Sequence, residues 1–391
     1  MELLETLQME KRAPEPVRAV MARLDDAGYE AYLVGGCVRD LLLGKAPHDW
    51  DVCTDALPDQ MRRVFCAFRT VDTGARHGTL TVLAEGLPVE VTTYRVDGTY
   101  SDHRRPDGVT FTRCLREDLA RRDFTINAMA YRPAEGLVDW YGGRDDLRAG
   151  RIRCVGDARA RFAEDALRML RALRFASRFG FSIEERTAQA LLDAREGLRH
   201  IARERVLAEL CGTDFARVDA RFLPVLQVVL PALERLDVPA GLPPDSAMQL
   251  GALLRGLDAR GILAAMHASR ALAEEAGLLA QALDEPPARD AAAVRRALRR
   301  MGPDTARKLF VLQSNAEGMA VLEAVLARGD CYTLAGLAVG GEEMRALGLA
   351  GPQIGRALAA LLDRVIDGEL PNEREALLAA CRRGMGESPR P

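Results

Sequence analysis

The chain has 391 residues and a net charge of −3, from 54 lysines and arginines against 57 acidic residues. This length predicts more than one domain, and the near-neutral balance argues against a uniformly basic nucleic-acid-binding protein. The N-terminus has no signal-peptide pattern and no apolar run approaches the roughly 18 residues of a membrane span, so we expect a cytoplasmic protein without membrane contact. Eight scattered cysteines without a C-x-x-C pair argue against structural zinc and a disulfide framework.

Short strand and helix patterns alternate in the first part of the chain and give way to helical spacing in the second. The predicted elements of the first part are a strand at 31–36, a helix at 38–44, a strand at 49–54, a helix at 57–65 and a hairpin of strands at 79–84 and 88–94. The polar stretch 97–108 predicts a loop, and FTINAMAY at 124–131 predicts a helix. From about residue 156 onward nearly every segment has helical spacing, so the sequence predicts an α+β protein with a mixed-sheet head and a helical remainder.

The segment HDWDV at 48–52 carries two aspartates one residue apart. Alternate residues of a strand point to the same face, so Asp49 and Asp51 would project together. Two such carboxylates repel each other unless a cation lies between them, and hard oxygen ligands suit Mg²⁺. The alternative is a strand end with solvated acids. If the strand that carries Glu90 lies beside this one, three carboxylates would form a platform for divalent metal ions and support phosphoryl or nucleotidyl transfer.

The segment LVGGCVRD runs from a predicted strand through two glycines into a predicted helix. Gly35 and Gly36 would allow backbone N–H groups to approach an anion, and Arg39 lies one turn into the helix. A tight strand-to-helix turn would explain the glycines if they stood alone. Because two aspartates follow on the next strand, we interpret the segment as a phosphate cradle, since a metal ion and a triphosphate are expected together.

Two arginine-rich segments follow the hairpin. In RRDFTINAMAY, Arg122 is a candidate for a phosphate contact and Asp123 for a ribose hydroxyl, although an acidic helical turn with solvated arginines explains the spacing equally well. Residues 151–178 contain eight arginines against three acidic residues, a local charge of +5. This local excess predicts a surface on which a polyanion could dock.

The segment EDALRMLRALRF, within this excess, predicts a helix with Asp165 and Arg168 on one face and Arg171 and Arg174 on an adjoining arc. A carboxylate accepts from an exocyclic amine, and a guanidinium donates to the neighbouring ring nitrogen. The pair would therefore match the edge that cytosine and adenine share and reject uracil and guanine. The alternative is pairing of Glu164 with Arg168 within the helix and a solvated arginine face.

These segments resemble those of a known family, the bacterial class II tRNA nucleotidyltransferases or CCA-adding enzymes, which are related to the bacterial poly(A) polymerases. The resemblance rests on LVGGCVRDLLLG, HDWDV, VEVTTYR, RRDFTINAMAY and EDALRMLRALRF, in the family's order and spacing, and on the tail segment GPQIGRALAALLDRVIDGELPNEREALL. It implies a polymerase-β-like nucleotidyltransferase head at 1–150, a helical neck with a nucleobase-reading helix at 151–210, a helical body at 211–285 and a helical tail at 286–391 that binds the tRNA elbow.

The resemblance also implies roles for the candidate residues. Asp49 and Asp51 would hold Mg²⁺, with Glu90 as the third catalytic acid. The nucleotide would be bound through its phosphates, ribose and base by Gly35, Gly36, Arg39, Arg122, Asp123, Asp165, Arg168, Arg171 and Arg174. The implied reaction is template-independent addition of C, C and A to tRNA, in which the tRNA 3′-hydroxyl attacks the α-phosphate of CTP or ATP and pyrophosphate leaves.

Other functions stay open at this point. An A-adding enzyme or a poly(A) polymerase would share the head segments, although we see no strongly basic C-terminal extension. A non-catalytic RNA-binding protein would not need the three acids. No His-Asp pair like that of a phosphohydrolase domain occurs downstream, so added phosphatase activity is not expected. The implied partners are the acceptor stem and elbow of tRNA, and no protein partner can be inferred.

The polar stretch at 97–108 generates a first prediction. In the resembling family, a loop at this place acts as a lever that adapts the nucleotide pocket from C to A, because the two bases share an edge but differ in ring size. We expect that a Gly/Ser linker in place of residues 100–107 preserves both C additions and stops the reaction before the terminal A. Product lengths on a sequencing gel check this, and terminal A addition at the wild-type rate would contradict the lever role.

Overall fold

The computed structural model describes residues 12–74, 78–98 and 108–386. The chain divides into two compact units, of which the first ends at Leu236 and the second begins at Asp237. This boundary lies at the start of LDVPAGLPPDS, where prolines and a glycine interrupt helical spacing. It falls inside the segment predicted as the body, 211–285, and the finer division into head, neck, body and tail stays a prediction. Most of the polar stretch at 97–108 lies outside the described residues.

The strands belong to the first unit. They are β1 (Ala31–Val34), β2 (Trp50–Thr54), β3 (Arg69–Gly74), β4 (Thr79–Ala84), β5 (Leu87–Thr93), β6 (Arg95–Asp97), β7 (Val109–Phe111), β8 (Ala130–Arg132), β9 (Gly136–Val138), β10 (Arg151–Ile152) and β11 (Ser182–Ile183). Within the described ranges, seven of them form one sheet in the order β3-β4-β5-β2-β1-β8-β9. Neighbours in this sheet are antiparallel except β2 and β5, which are parallel.

Along the chain, the helices of the first unit precede, separate or follow the strands of this sheet. They are α1 (Glu15–Asp26), α2 (Gly36–Leu42), α3 (Pro58–Val64), α4 (Leu115–Ala120), α5 (Gly143–Arg148), α6 (Ala158–Glu164), α7 (Leu167–Phe179), α8 (Glu185–Ala194), α9 (Arg203–Cys211) and α10 (Leu223–Val229), with 3₁₀ turns at Thr125–Asn127, Arg195–His200, Phe215–Arg217 and Ala220–Phe222. Every strand and helix predicted up to residue 94 is thus present, but the prediction missed α1 and β3. The α+β class is confirmed as well.

The second unit is helical throughout its described residues. Its helices are α11 (Ser246–Leu253), α12 (Ala259–Ala265), α13 (Arg270–Ala282), α14 (Ala291–Leu312), α15 (Ala316–Arg328), α16 (Gly341–Ala346), α17 (Pro352–Ile366) and α18 (Arg374–Gly386), with a 3₁₀ turn at Leu334–Gly336. α14 is kinked at Gly302, which has φ 75° and precedes Pro303. In the described part of the chain, every helix falls short of the length or the apolar character that a bilayer crossing demands.

The helix predicted for residues 124–131 is wrong. Thr125–Asn127 form one 3₁₀ turn, and Ala130–Arg132 form β8, an inner strand that pairs with β1 and β9. Phe124, Ile126 and Met129 are fully buried. An apolar run that is buried on every side does not distinguish the helical period from the strand period, and the pairing with β1 decides for the strand.

The continuous helix predicted through EDALRMLRALRF is also wrong, because it breaks at Asp165. This residue lies between α6 and α7 with φ −141° and ψ 103°. Its Oδ1 accepts a hydrogen bond from the backbone N of Leu167 at 3.0 Å. The aspartate therefore ends α6, and its side chain forms a local turn with the first residue of α7, so it does not share a helix face with Arg168.

Two glycines of the second unit provide a stability prediction of opposite signs. A Cβ at Gly251 in α11 would lie 2.9 Å from Leu279 Cβ and 3.1 Å from the Ala276 carbonyl, whereas a Cβ at Gly355 in α17 would meet nothing within 4 Å. We predict that Gly251→Ala lowers the free energy of unfolding by about 1–3 kcal/mol through overpacking. Gly355→Ala should raise it by up to about 1 kcal/mol through helix propensity. Urea unfolding followed by circular dichroism checks both, and shifts of the same sign would contradict the packing of α11 on α13.

Candidate functional site

The parallel pair of strands β2 and β5 places two acids side by side. Asp51 lies directly opposite Glu90 in the register, as the sequence analysis had supposed. Burial raises the pKa of Asp51 to about 6; Arg122 opposes this shift, and the nearby carboxylates of Glu90 and Asp49 add to it. A half-buried carboxylate beside other acids is stabilised in its charged form by a cation.

Asp49 lies just before β2 and not within it. Its side chain is 82% exposed, and its Oδ1 is 2.9 Å from His48 Nδ1. Within the described ranges, no group of three or more His, Cys, Asp or Glu side chains is gathered closely enough to hold a metal ion. The donor set nevertheless fits a hard divalent cation, because all three groups are carboxylates and an exposed side chain such as Asp49 rotates at little cost.

The two glycines differ in what they contribute. Gly35 has φ 77° and ψ −127°, and its N–H donates to the Met129 carbonyl at 3.2 Å. The expectation that this N–H faces an anion is therefore wrong. A Cβ at Gly35 would lie 2.8 Å from Arg122 Nη1, so the residue allows the guanidinium to approach the turn. Gly36 is the first residue of α2.

Arg39 is buried and is held from several sides. Its Nη1 donates to Asn127 Oδ1 at 2.7 Å, and its Nε donates to Asp40 Oδ1 at 2.9 Å. The guanidinium also lies over two stacked rings, 5.3 Å from the centroid of Phe175 and 4.8 Å from that of Phe179. These contacts fix both the position and the plane of the guanidinium.

Asn127 and the two phenylalanines are site residues that the sequence analysis missed. Phe175 and Phe179 are four residues apart in RALRFASRF and continue the helix face that carries Arg171. This spacing, beside several arginines, was a signal that could have identified them. Asn127 had no comparable signal, because its position depends on the 3₁₀ turn that replaces the predicted helix.

Arg122 is anchored by a carboxylate outside the predicted set. Its Nη2 lies 3.3 Å from Asp118 Oδ2, and Asp118 is fully buried. The other oxygen of Asp118 accepts from Arg121 Nε at 3.0 Å and from the backbone N of Arg95 at 3.2 Å. The guanidinium of Arg122 thus lies between this buried acid and the turn at Gly35.

The buried carboxylate of Asp123 forms an ion pair with the partly exposed Arg171. Asp123 Oδ2 accepts from Arg171 Nε at 2.8 Å, and its Oδ1 accepts from Asn127 Nδ2 at 3.0 Å. Burial alone would raise the pKa of Asp123, but Arg171, Asn127 and Arg168 outweigh it and lower the pKa to about 2. The carboxylate is therefore charged and engaged, and a ribose contact stays a prediction.

These groups line one cleft with a volume of about 810 Å³. Its lining brings together nine of the predicted residues, which are Gly35, Gly36, Arg39, Asp49, Asp51, Arg122, Asp123, Arg171 and Arg174. The lining does not include Glu90, Asp165 or Arg168. The lining combines carboxylates with several guanidinium groups, which are the charges that a metal-bound triphosphate requires.

The proposed base-reading pair is engaged elsewhere in this structure. Asp165 Oδ2 is 2.7 Å from Arg205 Nη2. Arg168 Nη1 is 2.5 Å from Glu164 Oε2, which is the alternative pairing considered from the sequence, and its Nη2 donates to the Arg121 carbonyl at 3.0 Å. Base reading therefore stays a prediction, and it requires Arg168 to exchange its partner Glu164 for the base.

Comparison with known proteins places this cleft in a family. The sequence profile of the poly A polymerase head domain matches residues 31–153. The CCA-adding enzyme of Geobacillus stearothermophilus is 38% identical over 389 residues, which cover 92% of this chain and 94% of that enzyme. The CCA-adding enzyme of Leuconostoc mesenteroides is 53% identical over 190 residues, which span about half of each protein, 49% of this chain and 47% of that enzyme.

A solved structure agrees with these sequence relatives. The crystal structure of the Bacillus stearothermophilus CCA-adding enzyme in complex with CTP has a TM-score of 0.78 at 33% identity, and the match covers 96% of this chain and 98% of that one. The expected polymerase-β-like head and helical remainder are thereby confirmed. Because the identity of 38% extends over nearly the whole length of both proteins, the chain belongs to the family of CCA-adding enzymes, whose head domain is that of the poly A polymerases.

Proposed function

We propose that the protein adds C, C and A to the 3′ end of tRNA, using CTP and ATP. The observation that carries this proposal is that one cleft is lined by Asp49 and Asp51 together with Arg39, Arg122 and Arg171. Such a cleft suits a nucleoside triphosphate and its metal ion. The proposal is supported by the near-full-length relatives that are named CCA-adding enzymes and by the relative whose structure contains CTP. The place of action that we propose is the cytoplasm, which supplies both nucleotides and tRNA.

The acidic residues at the cleft would hold the divalent metal ion that enzymes of this family generally need, and we propose that this ion is Mg²⁺. Asp49 and Asp51 would be its ligands, with Glu90 beside Asp51 as the third acid. When bound, the metal ion supplies charge stabilisation at the phosphate oxygens and favours ionisation of the attacking 3′-hydroxyl. Before binding, burial and, to a smaller extent, the negative neighbours Glu90 and Asp49 raise the pKa of Asp51, and this cost of the charged form favours capture of a cation.

The arginines that line the cleft would bind and orient the triphosphate. Arg122 and Arg39 lie at the two-glycine turn, and each is held by a carboxylate that leaves further donors of the guanidinium for phosphate oxygens. Arg171 and Arg174 line the same cleft from α7. Because buried partners fix these groups before the nucleotide binds, little reorganisation is needed when charge develops on the phosphates.

Selection of the base would fall to Asp165 and Arg168, as acceptor and donor for the shared edge of cytosine and adenine. We propose that Arg168 leaves Glu164 for the base when nucleotide binds. Gly36 would contact the phosphates and Asp123 the ribose, while Gly35 leaves room for the Arg122 guanidinium at the turn. The acceptor stem and elbow of tRNA would be recognised mainly through backbone and shape, the elbow by the segment 286–391.

The order of additions tests the proposed function. Three tRNA transcripts, ending before the first C, after the first C and after the second C, are incubated with CTP and ATP separately and together. We expect CTP alone to add two residues to the shortest transcript, ATP alone to extend only the longest, and both together to complete CCA on all three. Addition of A only would indicate an A-adding enzyme, and long A tails would indicate a poly(A) polymerase.

The metal assignment predicts that Asp51→Ala and Asp49→Ala each slow nucleotide addition by about 1000-fold or more, because each removes a ligand and leaves phosphate charge unneutralised. Binding of tRNA, measured by electrophoretic mobility shift, should change little, since most tRNA contacts lie elsewhere. The matched control is Asp59→Ala, whose side chain is also 82% exposed and pairs with Arg62 on α3. Near-normal turnover in Mg²⁺ by Asp51→Ala would refute the assignment.

A further inference from the structure

Helix α9 presents two opposite charges to the start and the middle of α7. Arg205 and Glu209 are four residues apart and therefore share one face of α9. Glu209 accepts from Arg174 Nε of α7. Arg205 forms a two-contact ion pair with Asp165, with Nη2 2.7 Å from Oδ2 and Nη1 3.4 Å from Oδ1. α9 is thus charge-matched to the segment proposed to read the base, although it contributes no residue to the lining of the cleft.

The ion pair between Arg205 and Asp165 is mostly shielded from solvent. The two side chains are 27% and 16% exposed, respectively. A comparable long-range pair on the surface, Arg221 with Glu185, is 37% and 78% exposed. Screening by water and salt is weaker in the shielded pair, so its effect on the orientation of the carboxylate is larger.

The carboxylate of Asp165 accepts hydrogen bonds from two neighbouring residues. The backbone N of Leu167 donates to Oδ1 at 3.0 Å, and Arg205 donates to both oxygens. An arginine cannot accept a hydrogen bond, so both oxygens of Asp165 act as acceptors in these contacts. Each carboxylate oxygen can accept more than one hydrogen bond, so a lone pair remains for an exocyclic amine.

We infer that Arg205 is a positioning residue that determines nucleotide specificity by holding the carboxylate of Asp165 in one orientation as an acceptor. This inference rests on the proposed function, in which Asp165 reads the base. An oriented acceptor pairs with the amine of cytosine or adenine and opposes the keto oxygen of uracil or guanine. A mismatched base then leaves two acceptors facing each other in a site with little water, which is the arrangement that gives strong discrimination.

Removal of Arg205 has two separable consequences. The carboxylate becomes able to rotate away from a keto oxygen, so the penalty for uracil and guanine falls. The correct bases lose a partner that was oriented in advance, so their KM rises. Because Arg205 does not touch the reacting atoms, kcat for CTP and ATP should change less than KM.

The test measures kcat and KM for all four nucleotides with transcripts poised for the next addition. We expect Arg205→Met to lower the preference for CTP over UTP and for ATP over GTP by about 10-fold or more. Arg205→Lys should restore part of the preference, since it keeps the charge and loses the two-contact geometry. The matched control Arg221→Met removes an exposed ion pair of the same type and should leave the preference and the rates unchanged.

A double-mutant cycle with Asp165→Ala identifies the route of the effect. If Arg205 acts through Asp165, the double variant should be no less selective than Asp165→Ala alone. An additive loss of selectivity would overturn the inference. So would unchanged selectivity in Arg205→Met, or an equal loss of kcat/KM for all four nucleotides, since either would reduce Arg205 to a structural ion pair. Failure of the wild type to extend tRNA with CTP and ATP would instead refute the proposed function.

Discussion

The partly buried ion pair between Asp123 and Arg171 is the contact on which the geometry of the cleft depends. It joins the turn after α4 to helix α7, and Asn127 extends it to Arg39 on α2. The surrounding donors hold the pKa of Asp123 at about 2, below its ordinary value. At a pH above the ordinary pKa of an aspartate, the pair therefore stabilises the folded protein. This contribution is lost as the pH falls towards 2. Three elements that are distant in sequence are thereby fixed around one space.

The arginines of the cleft are held by acids before any nucleotide is present. Arg122 is paired with Asp118, Arg171 with Asp123, and Arg39 lies beside Asp40. An unpaired buried guanidinium would be costly, whereas a paired one with five donors can serve a carboxylate and a phosphate at the same time. The same principle applies to Asp165, whose partner Arg205 comes from α9. The residues proposed to contact the substrate are thus each held in place by a neighbour of opposite charge.

The placement of the acidic residues depends on strand register and not on ion pairs. The pairing of β2 with β5 brings Glu90 next to Asp51 although 38 residues lie between them. The antiparallel hairpin of β4 and β5 makes this possible, because it returns the chain to the edge of β2 in a parallel sense. A slip of one residue in this register would turn Glu90 to the opposite face, so the site depends on the pairing as much as on the residue type.

Sequence alone predicts most local elements, the α+β class and the kinds of side chain that line the cleft, because strand alternation, turn glycines and helical spacing are local properties. The family resemblance further identified Asp49, Asp51 and the arginines as one set. Tertiary structure alone decided that FTINAMAY supplies an inner strand, since pairing with β1 outweighs an ambiguous apolar pattern. It also decided that Asp165 ends α6 and pairs with Arg205, a contact across 40 residues. Partner choice among many arginines and acids depends on which helices pack together, and no local pattern contains that information.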